Sequence, residues 1–258
     1  MANELNFESL LHQLGENVST IIKGGYKFSE LTMNEQRRIL NMGFNPIEIP
    51  ARISNLYTDF IKGAVELEDD IVDVSTVITI DVKPFVVSQL RQITLGNKYV
   101  ENGVTYIMRE ILDSDLVSKI KPTIIEFNNF ILRLCVPDLD KEQNVNNQLL
   151  LELKQYKKKL NDEDYAKVAD LYHLYEIIKF ITEIEFQGNT FDFESCPVNK
   201  KIKIINSLPQ KAIAQINDYI DTVKESEIIA SQATNEQTGE SIEVDMTSMF
   251  FTKTAKEI

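Results

Sequence analysis

Cysteine is scarce in this 258-residue chain: Cys135 and Cys196 are the only two. That is too few for a disulfide-stapled secreted scaffold, so a reducing cytoplasm is the expected setting. Histidine is equally sparse, with His12 and His173 alone. A metal centre would need help from the cysteines or from carboxylates, at separations that show none of the usual ligand spacing, and no metal site is expected. The nine glycines form neither a G-x-x-x-x-G-K-[ST] loop nor a G-x-G-x-x-G turn, and H-E-x-x-H, EF-hand and G-x-S-x-G patterns are missing too. The common cofactor and hydrolase signatures are therefore not available to this chain. Basic residues are outnumbered 27 to 40, for a formal charge of -13; nucleic-acid affinity, which comes largely from Lys and Arg neutralising phosphates, is not expected. No apolar run approaches the roughly 20 residues that span a bilayer, and Met1-Ala2-Asn3-Glu4-Leu5 lacks the basic and apolar regions of a signal peptide. The expectation is a non-enzymatic protein with no cofactor, no membrane and no nucleic acid among its partners.

What is there is the composition of a folded protein, 43% apolar and 26% charged. The pattern predicts an α+β chain that is mainly α-helical: a helical body, a small β element made of a strand near 74–82 and a hairpin near 183–193, and a flexible C-terminal tail. Residues 1–65 read as an N-terminal helical segment, 66–228 as the core, and 229–258 as an acidic tail ending in an apolar peptide. Thr32-Met33-Asn34-Glu35 is a capping box that starts one helix, and Pro50 suits the first turn of the next, with Ile53, Leu56, Phe60 and Ile61 on one face. The preceding segment, Asn6 to Ile22, is amphipathic, and Gly24-Gly25 after it reads as a hinge.

Val74, Thr76, Ile78, Ile80 and Val82 alternate as a strand would, with Pro84 closing it. Helices are expected from Val87, over Tyr106–Leu112, Asp115–Ile120 and Pro122–Leu134, and over Asn144–Lys159. Another, capped by Asn161, should run to about Ile181, and a last one should cover Gln210–Glu227. Glu183-Ile184-Glu185-Phe186 and Thr190-Phe191-Asp192-Phe193 flank Gly188-Asn189 as a hairpin does. Ala230–Glu243 is polar and poor in apolar residues, hence the flexible tail.

The candidate functional residues are all for partner binding. Glu66, Glu68, Asp69, Asp70, Asp73 and Asp81 come without an intervening base, as do the acids from Glu225 to Asp245. Such stretches read either as solvated faces or as docking surfaces for a basic partner. Met246, Met249, Phe250 and Phe251 place four large apolar residues in six positions; they either fold back on the chain or act as a tethered peptide ligand. His173 reads as a partly buried structural imidazole and Cys135 as a small core hydrophobe. Glu183 and Glu185 share one strand face, where water rather than catalysis is expected.

Several stretches together resemble the baseplate hub assembly proteins of T-even-type contractile-tail bacteriophages. They are Ile80-Asp81-Val82-Lys83-Pro84-Phe85, Phe127 to Leu134 with its Leu132-Arg133-Leu134, the Cys196-Pro197 turn, and the acidic segment closing on Phe250-Phe251. The resemblance covers roughly Ile71 to Phe251. It implies an assembly chaperone that holds hub or tape-measure proteins in an assembly-competent state in the host bacterial cytoplasm, with no catalytic residues to carry over. The alternatives are a permanent structural subunit of the virion tail baseplate, with self-association, and an acidic regulator unrelated to phage.

Overall fold

The computed structural model describes residues 18–40, 45–68, 72–127, 129–156 and 160–244. Seven α-helices are present among them: α1 (Met33–Leu40), α2 (Ile49–Ala64), α3 (Lys83–Leu95), α4 (Leu139–Leu153), α5 (Asp162–Phe180), α6 (Val198–Asn206) and α7 (Gln210–Ala230). Eleven strands join them in three antiparallel sheets. The first has the order β1 (Thr20–Lys23), β2 (Tyr26–Ser29), β3 (Val65–Leu67). The second places β11 (Ser241–Glu243) and β10 (Gln232–Asn235) beside β5 (Val104–Met108) and β4 (Lys98–Glu101). The third runs β6 (Thr123–Phe127), β7 (Phe130–Leu134), β8 (Ile181–Phe186), β9 (Asn189–Asp192). With about 49% of the described residues helical, 3-10 turns included, and 23% in strands, the fold is mixed and not mainly helical as the periodicity predicted.

The helix starts follow the expected chemistry. Thr32 and Glu35 close the capping box, the Thr32 amide donating to Glu35 Oε2 at 2.7 Å and the Glu35 amide to Thr32 Oγ1 at 3.4 Å. Pro50 sits in the first turn of α2, and Asn161 Oδ1 accepts the Asp164 amide at 2.8 Å to start α5. The 183–193 hairpin forms as β8 and β9.

The strand expected at 74–82 does not form. Asp73 accepts the Ser75 amide at 2.9 Å and turns the chain into a 3-10 turn, Val74–Thr76. The alternation survives only as one bridge, Thr79 to Asp138. Pro84 lies in the first turn of α3, where its missing N–H costs nothing, instead of ending a strand. The helices expected over 106–112 and 122–134 are instead β5 and the β6–β7 hairpin, and Asp115–Ile120 contains only the end of a 3-10 turn. Asn102 and Gly103 have φ of 49° and 81°, the two successive left-handed residues that a tight hairpin turn needs between β4 and β5. Helix α6 was not anticipated, and Ala230–Glu243 is not a flexible tail: it ends α7 and forms β10 and β11. The amphipathic segment Asn6–Ile22 ends in β1, and its residues before 18 lie outside the described ones.

Gly24-Gly25 is likewise a tight turn, not a hinge. It joins β1 to β2 with φ of 57° and 80°, and a Cβ on Gly24 would stand 2.9 Å from Leu116 Cδ1. Gly24→Ala therefore adds left-handed strain to a clash, and should cost about 1–3 kcal/mol. Gly25→Ala, with open space around its Cβ, should lose only the strain part. Urea denaturation of the two variants checks the order.

Two apolar cores meet at Ile80, which packs against both. One gathers Phe28, Phe60, Ile61, Val86, Leu90 and Ile111 from the first sheet, α2, α3 and the loop after β5. The N-terminal elements thus share a core with residues as distant as Ala230. The second core sets the third sheet (Leu132, Leu134) against α4, α5 and α7 (Leu149, Ile177, Phe180, Ile216). A small third cluster joins Tyr99 and Met108 to Ala233 and Val244.

Candidate functional site

Where α2, α3, α4, α5 and α7 converge, the apolar packing opens into a cavity of about 540 Å³. Its lining interleaves the apolar Ile53, Ile80, Val87, Leu149 and Val223 with the charged Lys83, Glu142, Glu176, Lys179, Lys224 and Glu227. Lys83, at the start of α3, reaches Glu142 Oε2 on α4 at 2.6 Å and also donates to Ser54 O at 2.8 Å and Ser54 Oγ at 2.9 Å. Ser54 Oγ in turn donates to Glu142 Oε1 at 2.8 Å and accepts from Asn146 Nδ2 at 3.0 Å. Both ends of the pair are buried. On α5, one turn apart, Glu176 and Lys179 pair at 2.9 Å, and Lys224 of α7 lies 3.6 Å from the other Glu176 oxygen.

The electrostatics follow from burial set against pairing. Burial alone pushes the Glu142 carboxyl up, but the Lys83 ammonium, then Lys179, together with hydrogen bonds from Lys83 and Ser54, hold it below its ordinary 4.5. Loss of water pushes Lys83 below the usual lysine range, and Glu142 offsets only part of that. Lys179, equally buried, is carried above it by Glu176 and Glu142. Glu227 differs: burial raises its carboxyl, Lys224 and Lys83 draw it down, and Glu142 and Glu176 add to the rise, which remains. Its side chain is exposed by area yet surrounded by protein, as befits a group on the wall of an open cavity. Among the described residues, neither Glu227 nor Glu243, which also lines the cavity, makes an ion pair.

Ser54, Lys83 and Glu142 superficially form a nucleophile-and-base array. The hydrogen bonds leave no nucleophile: Ser54 gives its proton to Glu142, but both lone pairs of its hydroxyl already accept, from Lys83 and Asn146, and Lys83 also covers the other Glu142 oxygen. The cluster braces three helices.

A second concavity, an open groove of about 660 Å³, lies between the free end of the third sheet and α6. Phe130, Ile184, Phe186 and Phe191 line it from β7, β8 and β9, and Ile204 and Leu208 line it from α6 and the turn after it. The register explains the exposure. Ile125, Leu132, Ile184 and Phe191 are successive partners across the sheet, but only the first two are buried; Phe191 stands 45% and Phe186 51% exposed. The core face of the sheet therefore runs past the helices that cover it. β9 is the sheet edge, and all four of its residues are exposed. Lys203 provides a positive charge on the helical wall.

The expected partner-binding residues are scattered. Glu66 lies on β3 and is exposed, but Lys27, its partner across the strands, pairs with it at 3.0 Å; Glu68 is exposed just beyond. Asp73 caps a turn, and Asp81 is buried and accepts from Thr79 and Ser118, so the acidic run presents no single surface. Asp69, Asp70, Met246, Met249, Phe250 and Phe251 lie outside the described residues. His173 is exposed rather than partly buried. Cys135 is half-buried near the second core and Cys196 half-buried after β9, both as free thiols. Glu183 and Glu185 both face Arg133 of β7, at 3.1 and 3.8 Å. Among the described residues no group of three or more His, Cys, Asp or Glu could hold a metal ion, and no helix is long and apolar enough to cross a membrane.

The cavity charges and the groove phenylalanines were not singled out from the sequence. Glu176 and Lys179 sit among Tyr175, Ile177, Ile178 and Phe180, and charged residues set inside such an apolar run are a legible sign of a buried pair. Comparisons with protein-family models, with curated proteins and with solved structures return no match.

Proposed function

We propose that this chain is a non-enzymatic assembly factor of the phage tail baseplate hub, binding hub or tape-measure proteins during tail morphogenesis. The observation that supports binding is the apolar groove beside the exposed edge strand β9. An edge strand carries unpaired main-chain donors and acceptors, and the groove next to it offers apolar contacts for alternate side chains, the arrangement by which an extended segment adds to a sheet. The occupant is an extended apolar segment of a hub or tape-measure protein with a carboxylate placed toward Lys203. The phage assignment itself rests on the sequence resemblance.

Phe186 and Phe191 are exposed, so Phe186→Asp/Phe191→Asp should leave thermal unfolding within a few degrees of the parent while reducing co-purification with hub and tape-measure proteins at least ten-fold. Undiminished co-purification removes the groove from the mechanism. A permanent baseplate subunit would instead appear at a symmetric copy number in gradient-purified particles by quantitative mass spectrometry, where an assembly factor is depleted relative to the lysate.

A further inference from the structure

We propose that the five-helix cavity is the docking site of the chain's own C-terminal segment, residues 245–258. Three observations on different residues agree. The first is position: β11 delivers the chain to the cavity lip, where Val244 is buried, donates its amide to Ser231 O at 3.0 Å and, with Glu243, lines the opening. Met246 is two residues further and so within about 7 Å of Val244.

The second is apolar complementarity. A cavity of about 540 Å³ is large enough for several side chains, since pockets of roughly 300–1,000 Å³ take whole drug-sized ligands. The segment supplies Met246, Met249, Phe250 and Phe251, and the cavity lining supplies aliphatic side chains together with Tyr172 and Tyr175. Thioether and aromatic groups suit such irregular surfaces.

The third is charge. Glu227 and Glu243 of the lining have no ion-pair partner among the described residues, in a cavity whose other carboxylates are paired. After Lys224 the sequence has no Lys or Arg until Lys253 and Lys256, directly behind the apolar cluster. Lys253 is two residues from Phe251 and so within about 7 Å of it, close enough for a segment seated among the aliphatic side chains to offer its ammonium to Glu227 or Glu243 of the same lining. The tether makes the encounter intramolecular, so a modest intrinsic affinity suffices. The segment that sequence alone left open, folding back or acting as a peptide ligand, is thereby assigned the first role in the free protein.

The cavity lies on different elements from the groove of β8, β9 and α6, so the test needs no partner and stands apart from the proposed hub binding. The full chain carrying a photo-crosslinking phenylalanine derivative at position 250 is irradiated as purified protein, and the products are mapped by mass spectrometry. Cross-links within one chain to Ile53, Leu149, Tyr172 or Val223 are expected. Glu227→Lys should reduce their yield at least three-fold, and adding Lys253→Glu should restore it. Cross-links to the groove, cross-links between two copies, or none, overturn the proposal. An unchanged yield in Glu227→Lys overturns its charge-guided docking. Glu227 lies on an exposed stretch of α7, and circular dichroism of each variant confirms that the fold is retained.

Discussion

Replacing either member of the Lys83–Glu142 pair should cost about 3–5 kcal/mol, because the surviving charge is left buried without its partner. Both residues are less than a tenth exposed, and the pair is the centre of a larger polar knot. Lys83→Met strips Glu142 of its closest counter-charge, and Glu142→Leu leaves an ammonium with only Ser54 as acceptor. A domain of ordinary stability, about 5–15 kcal/mol, loses roughly a fifth of it or more. The double variant Lys83→Met/Glu142→Leu should be less destabilised than either single one, since it buries no lone charge and leaves only the Ser54 and Asn146 hydrogen bonds to rearrange. Urea midpoints of the three proteins measure the cycle; singles that cost under about 1 kcal/mol would show that water shares the site.

The same pair fixes the sign of an acid dependence. Glu142 is held below 4.5 in the folded chain, so its stabilising contribution is present above that pH and is lost as pH falls through the folded value. Glu176, Asp73, Asp115 and Asp140 are also held low, so the decline in acid is collective. The part due to Glu142 is the difference between parent and Glu142→Gln: a gap in stability at neutral pH that narrows as pH falls below the ordinary 4.5 and through the lower folded value.

Local chemistry was legible in the sequence wherever it was self-contained. The capping box at Thr32, the Asn161 cap, Pro50 at a first turn and the hairpin around Gly188 each need only neighbours a few residues away. The β-sheets were harder because their partners are remote in sequence. β5 reads as helical by spacing until Asn102-Gly103 is given its weight as a hairpin turn; β7 finds β8 some fifty residues later. Conversely, the alternating run at 74–82 has no strand beside it, and without a ladder a β-branched pattern does not make a strand. The groove was half visible: Phe186 and Phe191 fall on one face of an expected hairpin, but whether a helix covers that face depends on where α6 lies, and α6 has no strong start signal. The cavity charges were hidden for the same reason, since five helices must be placed before Lys83 can be seen to meet Glu142.

Ending the chain at Ser231 should cost on the order of 3–5 kcal/mol and promote aggregation, whereas ending it at Val244 should retain the fold. The polar composition of residues 230–243 argued for a flexible tail; the structure shows how few apolar residues a strand pair needs when a prepared surface waits for it. Ala233 and Val244 close over Tyr99 and Met108, all four buried, with Ile242 against them. The turn between β10 and β11 is written in the polar residues themselves: Asn235 Oδ1 accepts the amides of Gln237 and Thr238, and Gly239 takes φ of 73°. Arg109 and Glu236 amides donate across to Gln232 and Thr105, and Lys98 pairs with Glu236 at 2.7 Å. Removing residues 232–244 uncovers Tyr99 and Met108 and converts β5 from an inner strand to an edge, a template for pairing with other chains. Thermal unfolding and light scattering of the two truncations separate the contributions. If the chain ending at Ser231 matched the chain ending at Val244 in both, β10 and β11 would be an appendage, and the C-terminal segment beyond them would not be delivered to the cavity by a fixed strand.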